Sequence, residues 1–582
     1  MLKDFFNYKV KIKDLPFKTS AGVNLENTAT ISFQDKNKKE LAYIELGFIS
    51  KDTIFKLIDE GKNILLDNCY VENFSLTDYR TSRNLDKKSI IKLHGFSAFN
   101  TYFDSRIETD FSNAEFDIAY KNFEGSHFIN GAVSFHNVNF NHGGINFSYV
   151  IFNNGNIDFS NIRFGNGEIN FKNSYFGSGH KNFKYAHFGE GQTLFVNTEF
   201  NDGDVSFINS EFEKGKVSFK VARFGEGKID FHFARFKSGD ISFERTEFGD
   251  GKVDFRATEF NNGKVNFNRA TFGKGEKTFE AAQFKEGRLS FRKTDFGNGD
   301  VIFDLCEFNN TKVSLDNAKF GKGNLSFYNA SIKKLSLKSC HLDYYVDLRL
   351  ANCESINLSD VIVRDIIDIK PHDFDINIKT LNLAGMRLIG RFYIDWFDNN
   401  VKGLITSQTN TSNREKSEQY RILKENFNFT GQYIDEDKAY VEFKRYEMKA
   451  DIEENKNNKL LKRLLMYPSF GFRWLVFDKV GLYATDHVRV LISMVFSYFF
   501  FSFLYTILPY FFNTSIISSV GDPDKLSKMS VAFYHSAVTF LTIGYGDYYP
   551  SGVIRFLSGI EGFMGLFLMS YFTVAFVRKI LR

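Results

Sequence analysis

Phenylalanine recurs every twelve residues through the middle of the chain, and this spacing limits what the chain can fold into. One series runs from Phe135 to Phe327 and is broken only at Leu315. A second series, offset by five residues, runs without a break from Phe140 to Phe320. An α-helix is excluded, because alternating steps of five and seven residues would scatter the rings around a turn of about 3.6 residues.

Each twelve-residue unit contains two pairs of residues that are two positions apart. In one unit the pairs are Val253 with Phe255 and Thr258 with Phe260, and polar or charged residues fill most positions between them. Residues two apart in a β-strand share a face. A glycine precedes the first phenylalanine of every unit by four positions, except at Thr311. The pattern predicts short strands and regular turns that stack into a β-solenoid, in which each coil contacts only its neighbours.

The small-x-Phe pattern, which repeats at five residues, resembles that of pentapeptide-repeat proteins. The resemblance implies a four-sided, right-handed β-solenoid. Two extra residues after every second side depart from the family, so one coil could contain either twelve or twenty-four residues. Glycine follows the second phenylalanine in alternate units, at Gly225, Gly249 and Gly273, which favours twenty-four. The successive glycines Gly165 and Gly177 break this alternation upstream.

Changes in this repeat divide the chain into segments. The regular solenoid covers residues 131–332, where the phenylalanine register holds. Charged, amphipathic stretches at 419–429 and 436–454 predict helices. The remaining predicted segments are a small α/β unit at 1–65, a solenoid lead-in or cap at 66–130, degenerate coils at 333–404, a helical linker with an interfacial helix at 405–487, and an all-α membrane domain at 488–582.

Two apolar stretches near the C-terminus are long enough to cross a membrane. Residues 490–512 form a stretch of 23 without a charge, and residues 553–577 form one of 25 in which only Arg555 and Glu561 are charged. About 20 apolar residues suffice to span the hydrocarbon core. Residues 527–541, which lie between the two stretches, predict a re-entrant helix of moderate hydrophobicity.

The re-entrant stretch ends in Thr-Ile-Gly-Tyr-Gly-Asp, at residues 542–547. This string resembles the selectivity filter of potassium channels, Thr-Val-Gly-Tyr-Gly-Asp, and departs from it only at Ile543. In such filters backbone carbonyls replace the water shell of K⁺, and glycine supplies backbone angles that other residues resist. The resemblance implies a K⁺ site formed by the backbone carbonyls of Thr542, Ile543, Gly544 and Tyr545, with Gly546 and Asp547 completing the filter.

Membrane topology and assembly follow from the same resemblance. Two spans cannot enclose a pore, so a homotetramer in a cell membrane, plasma or inner, is implied. Basic residues before the first span and after the second, including Arg489 and Arg578, predict that both termini are cytoplasmic. The expected partners are the lipid bilayer and further copies of the chain, while any ligand or protein partner of the solenoid is left open.

Composition narrows the functional classes further. The formal charge is +4, and residues 189–332 contain 21 basic and 22 acidic side chains, so nothing indicates nucleic acid as a partner. No enzymatic chemistry is expected, and no cofactor apart from K⁺ as the permeant ion. The four cysteines show no metal-ligand spacing and predict buried, reduced thiols at Cys69, Cys306, Cys340 and Cys353.

Four further residues are candidates for supporting or moving the pore. His535 in the predicted pore helix and Glu561 in the second span are ionisable groups at membrane depth, which are functional by default. Both could brace the filter or the pore helix, although Glu561 could instead be an interface-level carboxylate near Arg555. Gly562 and Gly565 could let the second span bend during gating, or they could simply allow close packing against a neighbouring helix.

The sequence therefore predicts a passive, potassium-selective channel with a cytoplasmic β-solenoid as a regulatory or scaffolding domain. A membrane-anchored solenoid that serves as an interaction scaffold is one alternative, although an anchor needs no glycines at 544 and 546. A nonselective cation channel is the other, and Tyr545 argues against it. The charged helices after the solenoid either have solvated faces or act as a coupling element that presses on the pore.

Overall fold

The computed structural model of the protein describes residues 5–117, 121–455, 467–520 and 525–581. It divides into two compact units, Met1–Gln408 and Thr409–Arg582. The first unit contains the predicted β-solenoid and the second is mainly helical, so the predicted fold class is confirmed. Parts of four predicted segments lie outside the described residues: 1–4 of the α/β unit, 118–120 of the lead-in, 456–466 of the linker, and 521–524 with 582 of the membrane domain.

The first unit begins with an antiparallel meander. Its first, fourth and fifth strands pair side by side, and the end of the fifth strand pairs in parallel with Cys69–Glu72. The meander therefore leads directly into the first coil of the solenoid. Helix α1 (Lys51–Asp59) lies between them, with Ser50 as its N-cap. The five strands are β1 (Asn7–Lys13), β2 (Phe17–Lys18), β3 (Asn24–Leu25), β4 (Asn27–Gln34) and β5 (Glu40–Ile49).

Short parallel strands then stack into a solenoid of about 14 turns. Helix α2 (Leu76–Ser82) projects from an early coil, and α3 (Val401–Thr406) ends the unit. The strands after β5 are Asn63–Leu65, Cys69–Glu72, Ile91–Ser97, Tyr102–Asp110, Ala114–Phe116, Lys121–Asn122, His127–Ser134, Ile145–Asn146, Ile151–Phe152, Ile157–Asp158, Ile169–Asn170, Tyr175–Phe176, Lys181–Asn182, His187–Phe188, Thr193–Leu194, Glu199–Asn201, Val205–Ser206, Glu211–Lys214, Val217–Ser218, Arg223–Phe224, Ile229–Asp230, Arg235–Ser238, Ile241–Ser242, Val253–Asp254, Glu259–Asn266, Lys277–Thr278, Gln283–Ser290, Val301–Ile302, Lys312–Ser314, Leu325–Ser326, Ser331–Ser336, His341–Leu342, Val346–Asp347, Asn352–Asn357, Ile362–Val363, Ile366–Asp368, Asn377–Asn382, Arg387–Leu388 and Arg391–Tyr393.

One coil of the regular solenoid contains twenty-four residues, as the alternating glycines favour. Phe212 pairs with Phe236, which pairs with Phe260, so partners lie 24 positions apart. Their rings stack with centroids 4.5 and 5.2 Å apart. A twelve-residue coil is thereby excluded. In the predicted degenerate coils the step varies, because Val346 pairs with Ile367, 21 residues on, and Ile367 pairs with Phe392, 25 residues on.

The recurring glycines lie where the backbones of successive coils meet. Gly179 has φ +124°, and a Cβ there would overlap the carbonyl oxygen of Gly155, one coil earlier. The lapse in the glycine series, Thr311, is buried, and its Oγ1 has no hydrogen-bond partner within the described residues. The glycines therefore serve close coil-to-coil contact at a corner, which explains their twelve-residue period.

A second corner position has left-handed backbone whatever residue occupies it. Asn197 has φ +55° and Val221, the equivalent residue one coil later, has φ +59°. Asparagine tolerates this region, whereas a β-branched residue there is an outlier. The stacking of the coil therefore fixes the backbone at Val221 against the local preference of valine.

Three buried lysines, Lys121, Lys181 and Lys277, occupy core positions that carry aliphatic residues in most coils. Lys181 and Lys277 are fully buried, and the equivalent residue next to Lys277 in the stack is Val253. The Nζ of Lys181 donates to the carbonyl of Asp202 at 2.5 Å, and the Nζ of Lys277 donates to that of Gly273 at 2.8 Å. Burial lowers the pKa of both ammonium groups to about 8. Corner carbonyls thus substitute for the water that these charges lose.

The predicted thiol state of the cysteines is also confirmed. All four are buried and free in the solenoid unit. Burial raises the pKa of Cys69, Cys340 and Cys353 to about 12. A thiol held in its protonated form is a poor nucleophile and a poor metal ligand, because both roles require the thiolate. These side chains therefore act as small apolar core residues.

The second unit opens with two antiparallel helices, α4 (Asn413–Phe429) and α5 (Tyr433–Glu454). Helix α4 begins six residues before the predicted start at 419, because Ser412 and Glu415 form a capping box. Arg414 at the start of α4 bonds to Asp451 near the end of α5, with Nη2 and Oδ1 2.9 Å apart. The two predicted charged helices are therefore a paired hairpin.

Two long apolar helices and a short one between them complete the unit. A π-helical segment (Arg473–Val480) and a 3₁₀ turn (Leu482–Ala484) precede α6 (His487–Ile507), which continues as a 3₁₀ turn at Leu508–Tyr510. The antiparallel strands Ile516–Ser518 and Tyr548–Pro550 flank α7 (Lys528–Phe540), and α8 (Gly552–Ile580) follows. Helices α6 and α8 are long and apolar enough to cross a membrane.

Candidate functional site

The backbone dihedral φ alternates between positive and negative values along the predicted filter, between α7 and α8. Thr542, Gly544 and Gly546 have φ values of +55°, +64° and +76°, while Ile543 and Tyr545 between them keep negative φ. Such alternation points successive N–H groups to one side of the chain and the carbonyls to the other. This alternation is compatible with a row of carbonyl oxygens along one side of the segment, an arrangement of the kind that coordinates a dehydrated cation.

The two glycines of the predicted filter are favoured by backbone angle and not by lack of space. A Cβ at Gly544 or Gly546 would have no heavy-atom neighbour within 4 Å in a single chain. Their positive φ values are nevertheless strained for any L side chain. Thr542 adopts the same region without being glycine, and its Oγ1 donates to the carbonyl of Leu541 at 2.7 Å.

The end of the predicted filter at Gly546 and Asp547 is held from two directions. The hydroxyl of Tyr534 on α7 donates to Oδ2 of Asp547 at 2.7 Å. Ser519 binds from the other side: its Oγ donates to the carbonyl of Gly546 at 2.6 Å and its N–H to that of Asp547 at 2.8 Å. Sequence reasoning missed Tyr534 and Ser519, because each lies far along the chain from the residue that it binds.

A buried carboxylate joins the three helices of the unit. Glu561 on α8 is fully buried. Its Oε2 accepts a 2.8 Å hydrogen bond from the hydroxyl of Tyr505 on α6, and its Oε1 accepts one from Ser536 on α7. Arg555 has a different partner, because its Nε donates to the carbonyl of Pro550 at 3.3 Å.

The predicted support residue His535 lies in the same cluster as Glu561. Its Nε2 is 2.9 Å from Oγ of Ser558 on α8, and its ring centroid is 5.7 Å from that of Tyr505. Both ionisable residues therefore contact Tyr505, one through its ring and the other through its hydroxyl. The cluster therefore fixes α7 to both long helices, α6 and α8.

The two predicted bend residues have different surroundings. A Cβ at Gly565 would overlap the carbonyl oxygen of Phe540, the last residue of α7. At Gly562 the nearest heavy atom would be the carbonyl oxygen of Thr539, at an ordinary contact distance of 3.7 Å. Helix α8 runs unbroken from Gly552 to Ile580. In this conformation Gly565 therefore permits close packing of α8 against the end of the pore helix.

The solenoid brings three potential metal ligands together on its surface. One ligand atom each from His187, Glu211 and Glu213 lies within 4.8 Å of the others. Lysine and arginine already neutralise both carboxylates, because Lys237 lies 2.5 Å from Glu213 and Arg235 lies 3.0 Å from Glu211. The arrangement therefore behaves as a surface ion-pair network. It was missed in the sequence because its members are one coil apart.

Comparison with known proteins assigns the helical unit to a functional class. Residues 490–582 match a protein-family model described as "Ion channel". The match spans α6, α7, the alternating segment and α8, and it covers about a sixth of the chain. No curated protein and no solved structure matches the chain. The family match and the two apolar helices together support a membrane protein with an ion-channel domain at its C-terminal end.

Proposed function

We propose that the protein is a potassium-selective channel whose pore forms from four copies of the chain. The observation that carries this proposal is the alternating backbone of Thr542, Gly544 and Gly546. Four such strands around one axis would supply the rings of carbonyls that replace the hydration shell of K⁺. The K⁺ ligands would be the carbonyls of residues 542–545, and transport would be passive.

Exposure in the single chain agrees with a site completed by further copies. Ile543 and Tyr545 are 47% and 70% exposed, although both belong to an apolar segment. Irregular backbone at membrane depth is tolerated only where protein or water covers it. Neighbouring copies would cover one side of this segment and the conducting ions the other.

The proposed orientation places both termini in the cytoplasm. The start of α6 and the end of α8 lie close together, since the rings of His487 and Phe576 have centroids 5.8 Å apart. Basic residues cluster at this end of the helix pair, at Arg489, Arg578 and Lys579. Such residues favour the cytoplasmic side. The solenoid would then be a cytoplasmic domain with a regulatory or scaffolding role.

The test is ion flux through the reconstituted full-length protein. Proteoliposomes loaded with K⁺ should release it down its gradient, and Na⁺-loaded vesicles should release far less. Gly546→Ala should abolish flux, because alanine disfavours the required positive φ. Equal K⁺ and Na⁺ release would establish a nonselective cation channel instead. Flux that never occurs would favour the membrane-anchored scaffold. Flux that survives Gly546→Ala would contradict the proposed filter.

A further inference from the structure

The last turn of α8 is fixed to the first turn of α5 by an ion pair that is largely shielded from solvent. The Nη2 of Arg578 lies 3.0 Å from Oδ1 of Asp437 and 3.9 Å from Oε1 of Glu436. The carboxylate side chains are only 10% and 5% exposed. The guanidinium also lies 4.8 Å above the ring of Tyr440. Shielded charges of this kind are costly to separate, because each would be left unpaired.

A second set of contacts connects α5 to α8 through the π-helical segment. Arg445 on α5 holds Asp478 of that segment, with Nη2 and Oδ1 2.7 Å apart. The hydroxyl of Tyr571 on α8 accepts from the N–H of Ala484 at 2.9 Å and donates to the carbonyl of Phe477 at 3.3 Å. Helix α5 therefore contacts α8 both directly and through this intermediate.

Helix α5 is also the element through which the chain passes from the solenoid to the membrane helices. Only residues 407–412 separate α3, the last helix of the first unit, from α4. Arg414 couples α4 to α5 through Asp451 and Glu454, each at 2.9 Å. A displacement of the α4–α5 hairpin must therefore move the end of α8 or break the Arg578 ion pair.

We propose that Glu436 and Asp437 on α5 position the end of the second membrane helix through Arg578, so that α5 sets the fraction of time for which the pore conducts. This inference rests on the proposed channel function. It makes Arg578 a positioning residue, remote from the filter, and makes the α4–α5 hairpin the element by which events in the solenoid bias the pore.

The test is single-channel recording of the full-length protein in planar bilayers. Arg578→Gln and Asp437→Asn should each change the open probability by about 5-fold or more, in the same direction, since allosteric coupling typically amounts to 5–150-fold. Unit conductance and K⁺ selectivity should stay unchanged, because the filter is untouched. Lys438→Gln, which removes one exposed charge from the same turn of α5, is the matched control and should leave the open probability unchanged.

A double-mutant cycle separates positioning from a general loss of stability. The effects of Arg578→Gln and Asp437→Asn should be less than additive, because the two changes remove the same Arg578–Asp437 ion pair. They need not coincide, since Arg578 also contacts Glu436 and Asp437 also contacts Lys579. Fully additive effects in variants of normal thermal stability would overturn the inference.

The same recordings distinguish this inference from the channel proposal. Absence of K⁺ current from the unmodified protein would overturn the proposed function and this inference with it. Normal current from the unmodified protein, combined with an unchanged open probability in Arg578→Gln, would overturn the positioning role alone and leave the channel intact.

Discussion

The hydroxyl of Tyr534 lies 2.7 Å from Oδ2 of Asp547, so an aromatic residue in the middle of α7 holds the last residue of the predicted filter. The other carboxylate oxygen of Asp547 accepts from the N–H of Tyr548 at 3.1 Å. Both oxygens of this side chain are thus engaged. The end of the predicted filter is thereby fixed to α7. The buried Glu561 in turn fixes α7 to the two long helices.

Tyr534→Phe should shorten the time for which the filter conducts. The change removes one hydrogen bond to a charged group, worth about 1.5–3 kcal/mol, which corresponds to a shift of about 10- to 100-fold between conducting and nonconducting forms. Single-channel open times at constant K⁺ concentration measure this shift. Tyr549→Phe, which removes a hydroxyl from a side chain that is exposed in the single chain, is the control. Equal open times for both variants would contradict this role.

Glu561→Ala should destabilise the helical unit more than Glu561→Gln. Alanine leaves the hydroxyl of Tyr505 without its acceptor, at about 1–3 kcal/mol. It also removes one of the two acceptors of Ser536, whose Oγ lies 3.2 Å from the carbonyl oxygen of Tyr498, whereas glutamine keeps one acceptor oxygen. The melting temperatures of the two variants in detergent measure which is the less stable. Tyr505→Phe combined with Glu561→Gln should be less than additive, because both disrupt one contact. Unchanged conduction and pH response in Glu561→Gln would exclude the proposed bracing role.

Gly565→Ala and Gly559→Ala form a matched pair on α8. At position 565 the new methyl group would meet the carbonyl oxygen of Phe540, so α8 must move away from the pore helix. At position 559 a Cβ has no neighbour within 4 Å, and alanine should stabilise the helix by up to about 1 kcal/mol. We expect the melting temperature and K⁺ flux to fall for the first variant only. A normal melting temperature for Gly565→Ala would show that this contact is loose.

Val221→Asn should stabilise the solenoid. Valine is strained at φ +59°, and asparagine populates this region more readily. The expected gain is about 1 kcal/mol, measured by denaturant unfolding of the full-length protein. Val196→Asn, at a half-buried position of negative φ in the preceding coil, should bring no gain. A loss of stability at position 221 would mean that the apolar contacts of valine outweigh its strain.

The stability of the solenoid should rise as the pH increases from about 8 to 10. Burial lowers the pKa of Lys181 and Lys277 to about 8, below the value near 10.4 of an unfolded chain. Between these values the unfolded state binds more protons, so the free energy of unfolding increases with pH, by at most about 1.4 kcal/mol per pH unit for each lysine. Lys277→Met should flatten the rise measured by denaturant unfolding, whereas Lys264→Met, at an exposed position, should not. If Lys277→Met and the unmodified protein gave parallel curves of unfolding free energy against pH, the assignment to Lys277 would be contradicted.

Local periodicity accounts for most of what the sequence predicts correctly. The stacked phenylalanines, the twenty-four-residue coil and the long helices follow from spacing and hydropathy over short windows. The decisive contacts of the helical unit do not, because Glu561 binds Tyr505 56 residues away and Arg578 binds Asp437 141 residues away. No local rule specifies such pairs. The cluster around His187 differs, since its members can be found by aligning residues 24 apart.

Because every coil of the regular region contains the same number of residues, the length of the solenoid can change in fixed steps. Because Phe236 stacks only on Phe212 and Phe260 within its own column, each coil depends on its two neighbours and on no distant part of the array. Removing 24 residues from the regular region would shorten the stack by one step of about 4.8 Å and leave every phenylalanine column continuous. Removing twelve residues, half a coil, would stack each face of the remaining coils on the opposite face. The surface charges of the two faces would then be exchanged beyond the deletion. The length and the surface pattern of this domain can therefore vary independently, by whole-coil and half-coil changes.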